Sequence, residues 1–269
     1  STMLGVLYPL IYEFIFDQKI SVGAPFYNAI FVPVTLIACI FLYFSIDSKW
    51  QQSFNLKALY QPLFLSIIFS VIIVSLIFFQ FSISGFWTLM SLTVGLIIII
   101  RYLIVIYFYF AYKRFANFFS IISHCGLGLL IISIALNDNL SSERALNIKI
   151  NETEIYKDHQ ITFTNLRVVP ESNYDSVKAD FLVTNPNGDT FTLTPEKRKY
   201  FARGQVTSET AIHASVLKDI YMTIGDQLDD GSWIVNIQFN IFIRWIWFSA
   251  IMMVVAGLLL VHSLARSKA

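Results

Sequence analysis

The sequence predicts an α-helical integral membrane protein of about five transmembrane helices, with a small β-sandwich or barrel-like domain inserted on its outer side. Hydrophobic residues make up 56% of the 269 residues and charged residues only 14%, whereas a soluble domain carries about 25% charged residues. Several apolar stretches reach the length of about 20 residues that a helix needs to cross a bilayer. The long polar stretch at residues 137–240 lies between the last two of them.

The membrane domain is predicted at residues 1–136. An apolar helix near residues 3–16 is too short to span a bilayer, so it counts as a partial helix. Four stretches of sufficient length follow, at residues 26–46, 59–81, 86–112 and 115–136. Residues 241–269 supply the last transmembrane helix and a tail.

The topology is predicted from the basic residues of the short loops. They are Lys49 and Lys57 after the first span, Lys113 and Arg114 after the third, and Arg266 and Lys268 after the last. Because loops rich in Lys and Arg stay in the cytoplasm, these loops are predicted to be cytoplasmic. Five crossings then place residues 137–240 on the outer side.

The polar stretch is predicted to be a β domain, because its apolar runs are short and rich in β-branched and aromatic residues. The segment Asn185-Pro-Asn-Gly188 is typical of a hairpin loop. About a hundred residues of short strands favour a small sandwich or barrel. The strand candidates are residues 146–150, 160–169, 177–184, 190–193, 199–201, 220–224 and 233–238.

The fourth predicted span carries a histidine, His124, in its interior. An ionisable side chain inside hydrocarbon is costly, so it indicates a functional site. Ser120, His124 and Gly128 share one helix face, where a flat macrocycle or a neighbouring helix could approach. His124 is therefore a candidate metal ligand, as an axial ligand of a haem iron. The alternative is an interhelical hydrogen bond at a packing face.

Two basic features have open roles. Arg101 interrupts the third span and could neutralise a haem propionate or an internal acid, but snorkelling or pairing with a carbonyl is the favoured interpretation. The basic patch Pro195–Tyr200 could hold a propionate, an anionic lipid or a partner protein. A solvated charged face is the favoured interpretation of this patch.

The remaining histidines and the cysteines are given structural roles. His159 is expected to be solvated, His213 to lie on the surface of an edge strand, and His262 to lie at the end of the last span. Cys39 and Cys125 fall inside apolar runs and are expected to be buried free thiols.

Several classes of function find no support in the sequence. A net charge of +1 gives no electrostatic support for a nucleic-acid partner. The sequence has no Cys-x-x-Cys-His, so the chain is not itself a c-type cytochrome. It also has no phosphate-binding loop, dinucleotide fingerprint or Ser-His-Asp set.

A series of short strings, in order along the whole chain, resembles the C-terminal part of the CcmF family of cytochrome c maturation proteins. The strings are Tyr8-Pro9, Lys19–Pro25, Phe31-Val-Pro33, Tyr174-Asp175, Pro195-Glu-Lys-Arg198, Glu209-Thr-Ala-Ile212, Asp219-Ile-Tyr221, Gly231-Ser-Trp233 and Arg244-Trp-Ile-Trp247. The resemblance implies that an N-terminal part precedes this chain, either as a separate subunit or in a longer protein.

The resemblance implies a cytochrome c haem lyase. Such a protein accepts haem, its substrate, from the haem chaperone CcmE and helps attach it to the Cys-x-x-Cys-His of apocytochrome c. It also holds a b-type haem in the membrane as reductant, and His124 matches one axial ligand while the other lies outside this chain. The resemblance leaves the residues that promote thioether formation unassigned, and this segment alone is not expected to suffice.

The same resemblance implies partners and a place in the cell. The expected partners are the N-terminal part of the protein, CcmE, a CcmH-type thiol-reducing or apocytochrome-binding subunit, apocytochrome c and membrane lipid. The expected location is a bacterial or mitochondrial inner membrane, with the β domain on the periplasmic or intermembrane-space side.

Two other functions compete. The first is a non-catalytic docking or assembly subunit of the cytochrome c maturation complex. The second is a transporter fragment with His124 and Arg101 on a polar path, but the sequence has no pair of broken helices in corresponding positions to support it.

Overall fold

The computed structural model describes residues 2–20, 23–45, 56–112, 118–202 and 204–268. The described chain divides into two compact units, residues 1–135 with 246–269 and residues 136–245. Six helices occur in the described residues: α1 (Thr2–Phe16), α2 (Ala24–Ser45), α3 (Leu56–Phe81), α4 (Phe86–Tyr112), α5 (Phe118–Leu140) and α6 (Ile243–Lys268).

Five of these helices are long and apolar enough to cross a membrane, and α1 is shorter. The predicted fold class, about five transmembrane helices with a partial helix before them, is therefore confirmed. Helix α5 continues to Leu140, beyond the apolar stretch that predicted its end. Its polar last turn is stabilised by Asn137, whose amide donates to the Ser141 hydroxyl at 3.0 Å and to the Ile241 carbonyl at 2.7 Å.

Part of the charge argument falls outside the described residues. Lys49, Lys113 and Arg114 lie there, as do residue 46 of the first predicted span and residues 115–117 of the fourth. The side of the membrane on which the β domain lies stays a prediction.

The β unit contains two antiparallel sheets. The strands are β1 (Ser142–Ile148), β2 (Thr153–Tyr156), β3 (His159–Pro170), β4 (Tyr174–Thr184), β5 (Thr190–Leu193), β6 (Glu196–Tyr200), β7 (Val206–Glu209), β8 (Ala211–Ala214), β9 (Lys218–Gln227) and β10 (Trp233–Ile241). One sheet has the order β1-β10-β9-β8, and the other has the order β2-β3-β4-β6-β7 with β5 also paired to β4. Alternate residues of both sheets enter one core, which confirms a sandwich.

Aromatic and β-branched side chains fill the core between the sheets. Phe163 and Phe181 face each other across β3 and β4 with ring centroids 4.5 Å apart. Phe239 reaches the same core from the other sheet. All three are fully buried, so the alternation that predicted these strands does place their apolar faces inward.

The predicted strands match the observed ones closely where apolar alternation is strong. The hairpin at Gly188 joins β4 to β5 as predicted, with φ of 89° at the glycine. Strands β2 and β7 were missed. The turn from β2 to β3 is Lys157-Asp158. Both residues have positive φ, 46° and 62°, without the Asn-Gly or Asp-Gly pair that marks such a turn in a sequence.

Both helix connections of the β unit are one residue long. Ser141 alone separates α5 from β1, and Phe242 alone separates β10 from α6. Phe242 turns the chain with a φ of 60°, in the left-handed region that bulky residues rarely adopt. The hydroxyl of Ser141 accepts a hydrogen bond from the Ile241 backbone nitrogen at 3.0 Å, so the first connection is bonded to the residue that precedes the second.

Candidate functional site

His124 lies in the first half of α5, and its protonation pattern follows from its hydrogen bonds. Nδ1 is 2.7 Å from the backbone carbonyl oxygen of Ser120 and 3.0 Å from the hydroxyl of the same residue. A carbonyl oxygen can only accept, so Nδ1 must carry the hydrogen. A neutral His124 then keeps the lone pair on Nε2, and within the described part of the chain Nε2 makes no hydrogen bond.

The imidazole plane of His124 is set by a tyrosine of the neighbouring helix. The rings of Tyr102, on α4, and His124 are 5.1 Å apart at their centroids and inclined by only 5°. Tyr102 is itself buried in a cluster with Cys39 and Ile98. The stacked contact and the hydrogen bond at Nδ1 together leave the ring little freedom to rotate.

The small-residue face of α5 is used by a neighbouring helix. A side-chain carbon added to Gly128 would lie 2.8 Å from the Gly95 carbonyl oxygen, and one added to Gly95 would lie 2.9 Å from the Gly128 carbonyl oxygen. Helices α4 and α5 therefore approach backbone to backbone at this pair. The sequence left two possible neighbours for this face, a flat macrocycle and another helix. At Gly128, one turn beyond His124, the neighbour is helix α4.

Arg101 is buried, with 6% of its surface exposed. Its guanidinium carbon lies 5.9 Å from the centroid of the Tyr43 ring on α2, a distance at which a cation is attracted to the face of an aromatic ring. The side chain does not snorkel toward a helix end, because it packs within the helical unit. Its position next to Tyr102 in the chain places it one residue from the His124 contact.

The imidazole of His124 is suited to bind a haem iron from one face of the haem. Each axial position of a haem iron is filled by a single ligand. A histidine ligand commonly donates its second ring N–H to a backbone carbonyl, as His124 does. A site built from three or more His, Cys, Asp or Glu side chains does not occur among the described residues. His124 by itself would supply one axial position.

The Pro195–Tyr200 patch is an internally paired network, which differs from the freely solvated face favoured by the sequence. Glu196 accepts a hydrogen bond from the Ser176 hydroxyl at 2.6 Å and forms ion pairs with Arg198 and with Lys178, the latter at 3.6 Å. Arg198 also lies over the Tyr174 ring at 5.0 Å. Glu196, Lys197 and Arg198 are thus paired within the sandwich, Lys197 with Asp226, whereas Lys199 is exposed. This leaves fewer charges of the patch for an external anion.

Glu196 shows how the network holds a carboxylate at a partly buried position. Burial by itself would raise the pKa of Glu196, but hydrogen bonds from Ser176 and Arg198, with the charges of Arg198 and Lys178, lower it below its usual value. The glutamate thus stays ionised as part of the strand pairing of β4 and β6.

His159 is buried, so the expectation of a solvated side chain was wrong. Only 4% of the residue is exposed, because β3 begins between the two sheets. Nδ1 donates to the Lys157 carbonyl at 2.6 Å, and Nε2 accepts from the Lys218 ammonium at 2.9 Å. Burial lowers the pKa of His159, and the charge of Lys218 lowers it further.

The structure also shows where the remaining two histidines and the two cysteines lie. His213 lies on the edge strand β8, as predicted, half-buried under Phe191 with ring centroids 3.6 Å apart. His262 is exposed near the end of α6. Cys39 and Cys125 are free thiols, the first buried and the second half-buried.

Comparisons with known proteins agree with this architecture. A family model described as "CcmF C-terminal beta-sandwich" matches residues 139–240. The chain is 26% identical over 268 residues to the cytochrome c-type biogenesis protein CcmF of Escherichia coli, covering 96% of this chain and 40% of that protein. It is 25% identical over 278 residues to the biogenesis protein NrfE of Haemophilus influenzae, covering 100% of this chain and 42% of that one.

A solved structure shares the fold. It is described as "Cytochrome c Heme Lyase CcmF" and superimposes with a TM-score of 0.70, covering 95% of this chain and 42% of that one at 15% identity. The chain therefore spans about two fifths of the length of the relatives that it matches.

Proposed function

We propose that this chain, which matches the C-terminal part of the CcmF family of cytochrome c-type biogenesis proteins, is part of a cytochrome c haem lyase in which His124 is an axial ligand of a membrane-held b-type haem. The observation that carries the proposal is the hydrogen bond from Nδ1 of His124 to the Ser120 carbonyl. It leaves Nε2 as the lone-pair nitrogen, without a hydrogen bond from any described residue.

The residues around His124 would prepare the imidazole for that role. The Ser120 carbonyl fixes the tautomer and makes the ring a stronger electron donor. Tyr102 holds the ring plane, and it is itself packed in the apolar cluster with Cys39 and Ile98. A haem bound there would supply one-electron chemistry at a membrane-buried position.

The overall reaction is the joining of haem to apocytochrome c, with haem received from the chaperone CcmE. The sulfur of each Cys-x-x-Cys-His thiol forms a bond to one vinyl carbon of the haem, and the thiol hydrogen goes to the other carbon. Atoms and electrons balance without an oxidant, so a reductant is needed only to keep the iron and the thiols reduced. This chain is proposed to contribute to that reaction together with the N-terminal part of the family architecture and a CcmH-type subunit.

The test is a reduced-minus-oxidised absorption spectrum of the protein purified with its N-terminal part, before and after His124→Ala. We expect the bands of a low-spin b-type haem in the unchanged protein and their loss in the variant. His262→Ala is the matched control, because His262 is an exposed histidine of another apolar helix, and it should keep the bands.

Normal haem content in His124→Ala would contradict the ligand assignment. A complex that folds and inserts but contains no haem with or without the substitution would instead support the docking or assembly subunit. Circular dichroism and membrane insertion of both variants separate these results from misfolding.

A further inference from the structure

The tip of the β8–β9 hairpin exposes two apolar side chains. Val216 is 70% exposed and Leu217 is 54% exposed, and both lie in the turn between β8 and β9. The backbone nitrogen of Ser215 donates to the Lys218 carbonyl at 3.2 Å and to the Asp219 carboxylate at 3.1 Å. Hydrogen bonds within the turn thus support the backbone that carries the two exposed side chains.

The same tip is bonded to the residues that begin α6. The indole nitrogen of Trp245 donates to the Val216 carbonyl at 2.9 Å, and the backbone nitrogen of Phe242 donates to the Leu217 carbonyl at 2.8 Å. Arg244 adds an ion pair to the buried carboxylate of Asp219 at 2.9 Å. All of these residues belong to the β unit.

Helix α6 enters an apolar span at this point. The candidate membrane segment is Ile243–Arg266, with a mean hydropathy of 2.2. Trp245 lies about 3 Å along the helix axis from its first residue, at the end where interfacial tryptophans belong. The hairpin tip is bonded to the first turn of α6. The tip therefore lies at the same depth relative to a bilayer as that turn.

We propose that Val216 and Leu217 insert into the headgroup–acyl boundary of the bilayer that α6 spans, and so form a second membrane anchor of the β domain. The occupant of this surface is lipid, because the hairpin tip is bonded to a helix turn that lies at the membrane boundary. The two side chains are uncharged, so insertion should not depend on anionic lipid.

Val168, another exposed apolar residue of the β unit, lacks this placement. Val168 is 68% exposed on β3, nine residues after His159, whose Nε2 contacts Lys218 beside the tip. A strand rises about 3.3 Å per residue, so Val168 lies about 30 Å along β3 from that contact. It is a matched control of equal exposure and similar chemistry.

The test places a fluorescent nitrobenzoxadiazole label at either position. Val216→Cys and Val168→Cys are made separately after Cys39 and Cys125 are changed to alanine, and the protein with its N-terminal part is placed in phosphatidylcholine nanodiscs. We expect lipid carrying a nitroxide near its headgroup to quench the label at position 216 by about twofold, and to leave the label at position 168 unchanged. Trp245→Phe, which removes the hydrogen bond to Val216, should reduce the quenching.

A label at position 216 that is quenched by aqueous iodide but not by nitroxide lipid would overturn the proposal. So would a blue-shifted emission at position 216 without lipid quenching, because it would show that protein covers the tip. Equal lipid quenching at both positions would also overturn it. Because none of these signals depends on bound haem, failure here is distinguishable from failure of the haem assignment.

Discussion

At the scale of single residues, the backbone carbonyl of Ser120 decides what His124 can do. The sequence predicted that His124 was a candidate ligand, since an imidazole inside an apolar helix is unusual. It could not predict the tautomer, because every helix has carbonyls at i−4 and only the side-chain rotamer determines whether Nδ1 reaches one. Tyr102 was missed for a related reason: no local pattern shows that a tyrosine of α4 stacks on a histidine of α5.

His159 is a second case in which the environment overrides the residue type. Nothing next to it in the sequence indicates burial, since Lys157, Asp158 and Gln160 are all exposed. The partners that enclose it, Lys218 and Phe239, come from the other sheet, more than fifty residues along the chain. Long-range pairing of this kind is invisible to periodicity.

The lowered pKa of His159 predicts an acid-sensitive β domain. The folded domain binds the histidine proton more weakly than the unfolded chain does, so its stability falls as pH drops through about 6.5, the unfolded pKa. Protonation would place a third cation beside Lys218 and Lys157, with Asp158 as a nearby acid. Hydrogen exchange of β3 and β9, corrected for the intrinsic effect of pH, should be faster at pH 5.5 than at pH 7.5.

His159→Gln is the variant that checks this prediction. Glutamine has no proton to gain and retains a carbonyl that can accept from Lys218, so exchange in the variant should respond less to pH over the same range. An unchanged pH response in His159→Gln would show that another group is responsible.

At the scale of elements, the strongest patterns predicted the helices and the long strands. The five spans followed from length and apolar composition alone, and β3, β4, β9 and β10 followed from alternation. Short strands were harder to predict. The ends of helices also shifted where polar side chains find partners, as Asn137 does at the end of α5.

The close approach of α4 and α5 predicts that a side chain added at Gly128 lowers the stability of the protein. Gly128→Ala puts a carbon 2.8 Å from the Gly95 carbonyl oxygen and from a side-chain carbon of Ile99, so the helices must separate. We expect a loss of about 1–3 kcal/mol, seen as a lower unfolding temperature in detergent, together with weaker haem binding. Gly257→Ala on α6 is the control, since an added carbon there meets nothing within 4 Å. Equal stability of the two variants would contradict the packing argument.

At the scale of the whole molecule, the described helices supply one imidazole in a membrane interior, and the relatives are about two and a half times as long as this chain. The sequence predicted the division into apolar helices and a polar domain, because composition changes abruptly at residues 137 and 241. It did not predict that the terminal strands β1 and β10 lie side by side in one sheet, since pairing across about a hundred residues leaves no local mark.

A haem that needs a second ligand from outside this chain should be retained only by the assembled protein. We expect the chain produced alone to insert into membranes with little b-type haem, and co-production with the N-terminal part of the family architecture to restore a haem content near one per complex. Pyridine haemochrome analysis of the two preparations measures this. Full haem content in the chain alone would show that it provides both axial ligands or that one suffices.

The pairing of β1 with β10 makes the sandwich a domain that can be exchanged between related proteins. The chain enters and leaves the domain on neighbouring strands, so the two ends lie about 5 Å apart. A domain whose ends meet can be grafted between relatives, or circularly permuted with new ends at the Gly188 hairpin, without changing the spacing that its host helices must span. The one-residue connections at Ser141 and Phe242 mark where such a graft should be cut.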